Sequence, residues 1–263
     1  MKNKKVKVEE AVSKNGNGRR RFLKMSGLAV AGTGLLIGCS DDDDFNTENG
    51  GGPDPDPDPD PEPFDLGSGN LGILNYAYAL EQLEAAFYQQ VLDGSYWMNA
   101  ESGEKQFIED VRNHEVIHRD FFKTAINAAV SDPTLVLPQL DFDFSSVDFG
   151  SRSAVLGTSV VLEDTGVKAY NGAGKLIDVS DQAGVTYLNL AGKIVSVEAR
   201  HASRFRNYVN PGSTAFANDD VLTSIDGVGP AFDKALMPSE ILGAVDNTGF
   251  VTTEFTATNL PTE

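Results

Sequence analysis

The 263-residue chain carries 39 acidic against 21 basic side chains, a formal net charge of −18, and one cysteine, Cys39. Nine of the basic residues precede residue 25, and without residues 1–38 the balance becomes 12 basic to 37 acidic, a net charge of −25. So acidic a surface repels nucleic acid and anionic bilayers, and a single cysteine excludes an intrachain disulfide or a multi-thiolate metal site.

The basic start is followed by an apolar, glycine-rich run from Leu28 to Gly38. A charged region followed by an apolar run too short to span a bilayer predicts a signal peptide over residues 1–38. Arg19-Arg20-Arg21-Phe22-Leu23-Lys24 resembles the twin-arginine export motif, and Leu36-Ile37-Gly38-Cys39 resembles a bacterial lipobox. Cys39 is therefore the expected lipid anchor, and membrane contact is expected through that lipid alone. Residues 39–68 are acidic and rich in Pro-Asp, with Asp41–Asp44 and then alternating proline from Pro53 to Pro63. Alternating proline forbids helix and sheet, so a disordered, extended tether is expected. Cys39-Ser40 followed by Asp41–Asp44 is similar to the signal that sends lipoproteins of Bacteroidetes-type bacteria to the outer surface. The expected location is the cell envelope, on either its periplasmic or its outer side.

From Asn70 the pattern turns helical. A first helix is predicted from Leu71 to about Leu92, closed by Asp93-Gly94. A second runs from about Ser102 to Val130 and ends at Asp132-Pro133. Leu135 to Gly150 reads as a crossover that lays Phe142, Phe144 and Phe149 on the helices. A third helix is expected from near Ser151 to Tyr170, with Asn171-Gly172 and Gly174 as breakers, and a fourth from Asp181 to Tyr208, before Asn210-Pro211-Gly212. Four long helices with one long second link predict an all-α four-helix bundle over residues 69–210 with a single crossover. Residues 211–263 read as a partly helical C-terminal extension with one short helix at Pro238–Val245.

Glu115-x-x-His118 and Glu198-x-x-His201 use two of the three histidines. Residues three apart share one helix face, so each pair sends a carboxylate and an imidazole into the same space. Ile108, Val111, Phe122 and Ala125 share the face of the first pair, and Ile194, Ala202 and Phe205 that of the second. A carboxylate on an apolar face needs compensation, which a metal ion supplies. The first and third helices repeat one another: Leu80-Glu81 precedes Tyr88 as Leu162-Glu163 precedes Tyr170. The candidate metal ligands are thus Glu81, Glu115, His118, Glu163, Glu198 and His201. Glu84, one turn after Glu81, is the alternative to it. Tyr88 and Tyr170 are expected to pack in the bundle and bond a buried carboxylate across it. His114 is expected to be rotated away, partly exposed and not a ligand. Carboxylate and imidazole without thiolate suit two Fe or Mn ions, and four glutamates balance two divalent charges.

Leu74 through Tyr88, Glu115-x-x-His118, Leu162 through Tyr170 and Glu198-x-x-His201 resemble the bacterial ferritin-like domain family that includes desiccation-related proteins. They are more distantly similar to the rubrerythrin and bacterioferritin group. The resemblance covers about residues 70–210 and implies a ferritin-like bundle with a di-iron or di-manganese centre. Glu115 and Glu198 are then the expected bridges, His118 and His201 terminal ligands, and Glu81 and Glu163 terminal carboxylates. The chain lacks the Cys-x-x-Cys pairs of rubrerythrin, which excludes electron delivery through a rubredoxin iron. Two functions stay open. One is a dimetal oxidoreductase or ferroxidase that meets O2 or peroxide in envelope stress protection. The other is a non-catalytic envelope lipoprotein whose metal is structural or whose domain is a binding module. A homodimer is the expected assembly.

Overall fold

The computed structural model describes residues 62–262; the expected signal peptide, Cys39 and the tether through residue 61 lie outside the described residues. Four long helices carry the fold. They are α1 (Gly69–Asp93), α3 (Ser102–Ala129), α4 (Arg152–Gly174) and α5 (Gln182–Val209), with the one-turn α2 (Ser95–Asn99) inside the first link. Helix α1 packs on α3, α4 on α5, and the two pairs meet where α1 faces α4. The predicted all-α bundle with one long crossover is the architecture found.

Burial follows sequence pattern. Helix α1 is buried without a break from Gly72 to Ala85, as suits a helix that is apolar almost all round. Helices α3 and α5 bury one stripe each: Ile108, Val111, Glu115, Phe122 and Ile126 on the first, and Ile194, Glu198, His201, Ala202 and Phe205 on the second. Asp181 caps α5 by accepting the Gly184 N–H at 2.7 Å. Arg152 at the start of α4 pairs with Glu104 of α3, and Arg206 of α5 pairs with Asp164 of α4.

Helix α4 runs four residues beyond its expected end at Tyr170. Gly172 is a packing residue there rather than a breaker. A Cβ at Gly172 would lie 1.7 Å from the carbonyl oxygen of Leu236, and the Leu236 N–H bonds the Lys168 carbonyl at 3.1 Å. Only glycine admits another backbone so close.

The crossover is fixed to α1 by two buried amides seven residues apart on one face. Asn75 donates to the carbonyls of Leu66 and Leu135 and accepts the Leu137 N–H at 3.0 Å. Gln82 donates to the Pro138 carbonyl and accepts the Leu140 N–H at 2.9 Å. Leu137 and Leu140 are buried between these bonds, and Phe144 and Phe149 each pack 5.7 Å from the ring of Phe87. Phe142 forms an isolated bridge with Val251.

Two boundaries differ from expectation. The tether expected to reach residue 68 ends sooner, because β1 (Phe64–Asp65) pairs in parallel with β4 (Phe255–Thr256). Leu66 beside it is fully buried. The Asp65 carboxylate accepts bonds from the Gly67 N–H, the Thr256 and Thr258 hydroxyls and the Asn259 amide at 2.7–3.2 Å. That set of bonds lowers the Asp65 pKa to about 2, the Gly67 bond contributing most. The C-terminal extension holds more than its one short helix, α6 (Pro238–Asp246): β2 (Leu222–Ile225) and β3 (Val228–Asp233) form an antiparallel hairpin. Asp226-Gly227, both at positive φ, make its turn. Among the described residues, no helix is long and apolar enough to cross a membrane.

Candidate metal centre

The two buried stripes bring Glu115 and His118 of α3 against Glu198 and His201 of α5, with Glu81 entering from α1 and Glu163 from α4. The four glutamates are wholly buried and His201 is 3% exposed. The His118 side chain is 12% exposed. Two groups of four donors result. Glu81, Glu115, His118 and Glu198 form one, and Glu115, Glu163, Glu198 and His201 the other, with donor atoms within 4.8 Å of each other in each. Glu115 and Glu198 belong to both.

His118 Nδ1 lies 3.0 Å from Glu198 Oε1, 3.2 Å from Glu115 Oε2 and 3.4 Å from Glu81 Oε2. His201 Nδ1 lies 3.0 Å from Glu115 Oε1, 3.2 Å from Glu163 Oε2 and 3.7 Å from Glu198 Oε2. The same nitrogen of each ring therefore faces three carboxylates.

The donor set fits a metal, on an observation of its own atoms. Oxygens of Glu81, Glu115, Glu163 and Glu198, with His201 Nδ1, are buried and lack a well-formed hydrogen bond among the described residues. Orphaned carboxylates in a dry interior are costly, and cations placed among them remove that cost. Without such cations the cluster holds protons instead. Burial, then repulsion from Glu198, raises the Glu115 pKa to about 7, and burial raises that of Glu163 to about 8. Burial opposes ionisation of Glu198 too, but His118 and His201 hold its pKa down to about 2. Burial likewise works against a charged His201, yet Glu163 and its neighbours raise that ring's pKa to about 12. Assigning each proton to one residue matters less than the total: the site draws in positive charge.

The tyrosines cross between the helix pairs. Tyr88 of α1 donates to Glu163 Oε1 of α4, and Tyr170 of α4 donates to Glu81 Oε1 of α1. Each fixes one carboxylate oxygen and leaves the other directed at a histidine. Burial, and the carboxylate each one bonds, raise both hydroxyl pKa values well above the usual range.

Glu84 stands outside both donor groups, so geometry places Glu81, not Glu84, with the other donors. It is nonetheless buried, and burial followed by repulsion from Glu198 and Glu163 raises its pKa well above normal. Its carboxylate faces Gly166, where a Cβ would sit 3.3 Å from Oε1. His114 also belongs to neither group and is exposed, but it is not turned away from the site. Its Nδ1 lies 2.9 Å from His201 Nε2, with the rings stacked 5.1 Å apart at 8°. It thereby holds the outer nitrogen of His201 while Nδ1 faces the carboxylates. Sequence reasoning missed this contact because it depends on the rotation of α3 against α5. The Glu84–Gly166 pairing did have a signal: Gly166 follows Glu163 by the same three residues that separate Glu84 from Glu81.

Comparison with protein-family models matches residues 69–211 to a ferritin-like domain. Comparison with curated proteins gives no match.

Proposed function

The chain belongs to the ferritin-like domain family, and we propose that its buried cluster holds a dinuclear Fe or Mn centre that reacts with O2 or peroxide in envelope stress protection. The observation that carries this reading is the sharing of Glu115 and Glu198 between two four-donor groups. On this reading Glu115 and Glu198 would be shared by the two ions, with Glu81 and His118 holding one and Glu163 and His201 the other. The ions would supply redox equivalents and Lewis acidity.

The chain's own residues do the rest. Four glutamates balance two divalent charges. Tyr88 and Tyr170 hold the outer oxygens of Glu163 and Glu81, so each carboxylate keeps its free oxygen at the centre. His114 fixes the ring of His201. Complete burial of the four glutamates excludes bulk water and strengthens the electrostatics inside. Loading the protein with Fe(II) without air and counting metal should give two ions per chain, and admitting air should consume O2. Loss of metal in Glu198→Ala and His201→Ala is the expected companion result. Unchanged metal content in those variants would overturn the reading.

The same burial favours a second reading, in which the metal joins four helices and does no chemistry. Chelation would then lower Tm strongly with no consumption of O2 or peroxide by the loaded protein. For location, we propose export and lipid anchoring at Cys39, on the strength of Arg19–Lys24 and Leu36–Cys39. Cys39→Ser should move the protein from the membrane fraction to the soluble fraction, and an unchanged distribution would reject the anchor.

A further inference from the structure

The two helix pairs match position for position, with offsets of 82 between α1 and α4 and 83 between α3 and α5. Around Tyr88 the equivalent space is filled by Phe87, Val91 and Ile108, all buried. Around Tyr170 the corresponding residues are Ala169, Ala173 and Ala191. Three small side chains stand where three large ones stand in the other half, and they line an apolar cavity of about 30 Å³.

The cavity touches the centre through one residue. The ring of Tyr170 lines it and the Tyr170 hydroxyl donates to Glu81; Leu80, next to Glu81 in the chain, lines it too. Tyr187 and Ala191, half-buried, border it on the α5 side. Its exposed lining is almost wholly apolar. Tyr76 lines it, is 1% exposed, and its hydroxyl has no hydrogen-bond partner among the described residues.

An ordered water needs about two to four polar partners and roughly 10–15 Å³ of such space. The space is present, but the partners are not, because the exposed lining is almost wholly apolar and the Tyr170 hydroxyl is committed to Glu81. An occupant must be small and apolar, with at most one hydrogen bond to accept. We propose that this cavity binds dioxygen, an apolar diatomic gas, and holds it against the ring of Tyr170, whose hydroxyl reaches Glu81. Its use in catalysis rests on the oxidative reading above, whereas gas binding does not.

Crystals of the as-purified full-length protein, pressurised with xenon and separately with O2, provide the test. A gas peak among Ala77, Ala169 and Ala173 is expected. Its absence, or an ordered water on Tyr76 that excludes xenon, overturns the proposal. Ala173→Val and Ala191→Ile install the residues of the other half. They should abolish the xenon peak, leave metal per chain unchanged, and slow O2 consumption by the Fe(II)-loaded protein. An unchanged rate with the cavity filled overturns delivery of O2 through it. If the wild-type protein shows the gas peak yet consumes no O2, the oxidative reading fails and the gas site stands.

Discussion

The α1–α3 pair and the α4–α5 pair present the same donors to the centre, yet they surround them differently. Glu81 and Glu163, the two Glu-x-x-His motifs and the crossed tyrosines occupy equivalent positions. Glu84 corresponds to Gly166, His114 to Val197, and the Phe87, Val91 and Ile108 set to three alanines. Residues that point into the shared space are fixed by one geometric demand, that opposed carboxylates and imidazoles meet across a few ångströms. Residues one layer out must only fill volume or satisfy a polar atom, and there the halves diverge. One four-donor group is therefore backed by a second histidine and the other is not. One flank is filled by Phe87, Val91 and Ile108, and the other leaves a cavity beside Ala169, Ala173 and Ala191.

The largest expected effect tests what the halves share. Glu115→Ala and Glu198→Ala, which remove donors common to both groups, should reduce metal content to background. Glu81→Ala and Glu163→Ala should each remove one ion of the two, whereas Glu84→Gln should retain both; metal analysis of the purified variants distinguishes these patterns. Equal losses from all five would break the division into shared and private donors.

His114→Ala tests the first difference. Loss of the partner that orients a ligating imidazole typically costs about 10–100-fold in metal affinity. Competition titration should show that loss at one metal position and leave the other unchanged. Equal weakening at both would mean that His114 does not act through His201.

Gly166→Ala tests the second. The new methyl would lie 3.3 Å from Glu84 Oε1, and crowding in a packed interior costs about 1–3 kcal/mol. Thermal unfolding should register the loss in the wild type and much less of it in a Glu84→Ala background. An equal loss in both backgrounds would show that the glycine does not make room for Glu84.

The smallest effect belongs to neither half and serves as a control. The folded pKa of Asp65 is about 2 against an ordinary 3.8. A depressed carboxylate stabilises above its unfolded pKa, and that contribution fades as pH falls through the folded value. Its bonds to the C-terminal segment should therefore weaken between about pH 4 and pH 2. Asp65→Asn should remove this acid-dependent step, seen as amide exchange at Leu66, without changing metal content.

Helical periodicity made much of the fold readable. The buried stripes of α3 and α5 contain the apolar residues that spacing alone assigned to them except Ala125, which is half-buried, since a 3.6-residue repeat needs no knowledge of the partner. The third long helix continues past Tyr170 although Asn171-Gly172 has the composition of a stop, and only Leu236 pressed against Gly172 gives that glycine its other purpose. The turn had a signal in Asp226-Gly227, but its flanking residues, half-buried only at Leu222 and Thr223 and otherwise exposed, lack the apolar alternation that announces strands. The pairing of Phe64–Asp65 with Phe255–Thr256 had no local signal at all, because its partners lie about 190 residues apart.

The sequence by itself determined the helices, the face each donor occupies and the two-fold repeat of the donor set, because these follow from spacing along one chain. Tertiary structure alone decided which of Glu81 and Glu84 joins the cluster, since residues three apart differ by only about 60° around the helix axis. It also decided that His114 reaches His201, and that three alanines leave a cavity where their counterparts fill one. Each of these depends on how far one helix is rotated and raised against its neighbour. That is set by the sum of all contacts between helices, and no local pattern encodes it.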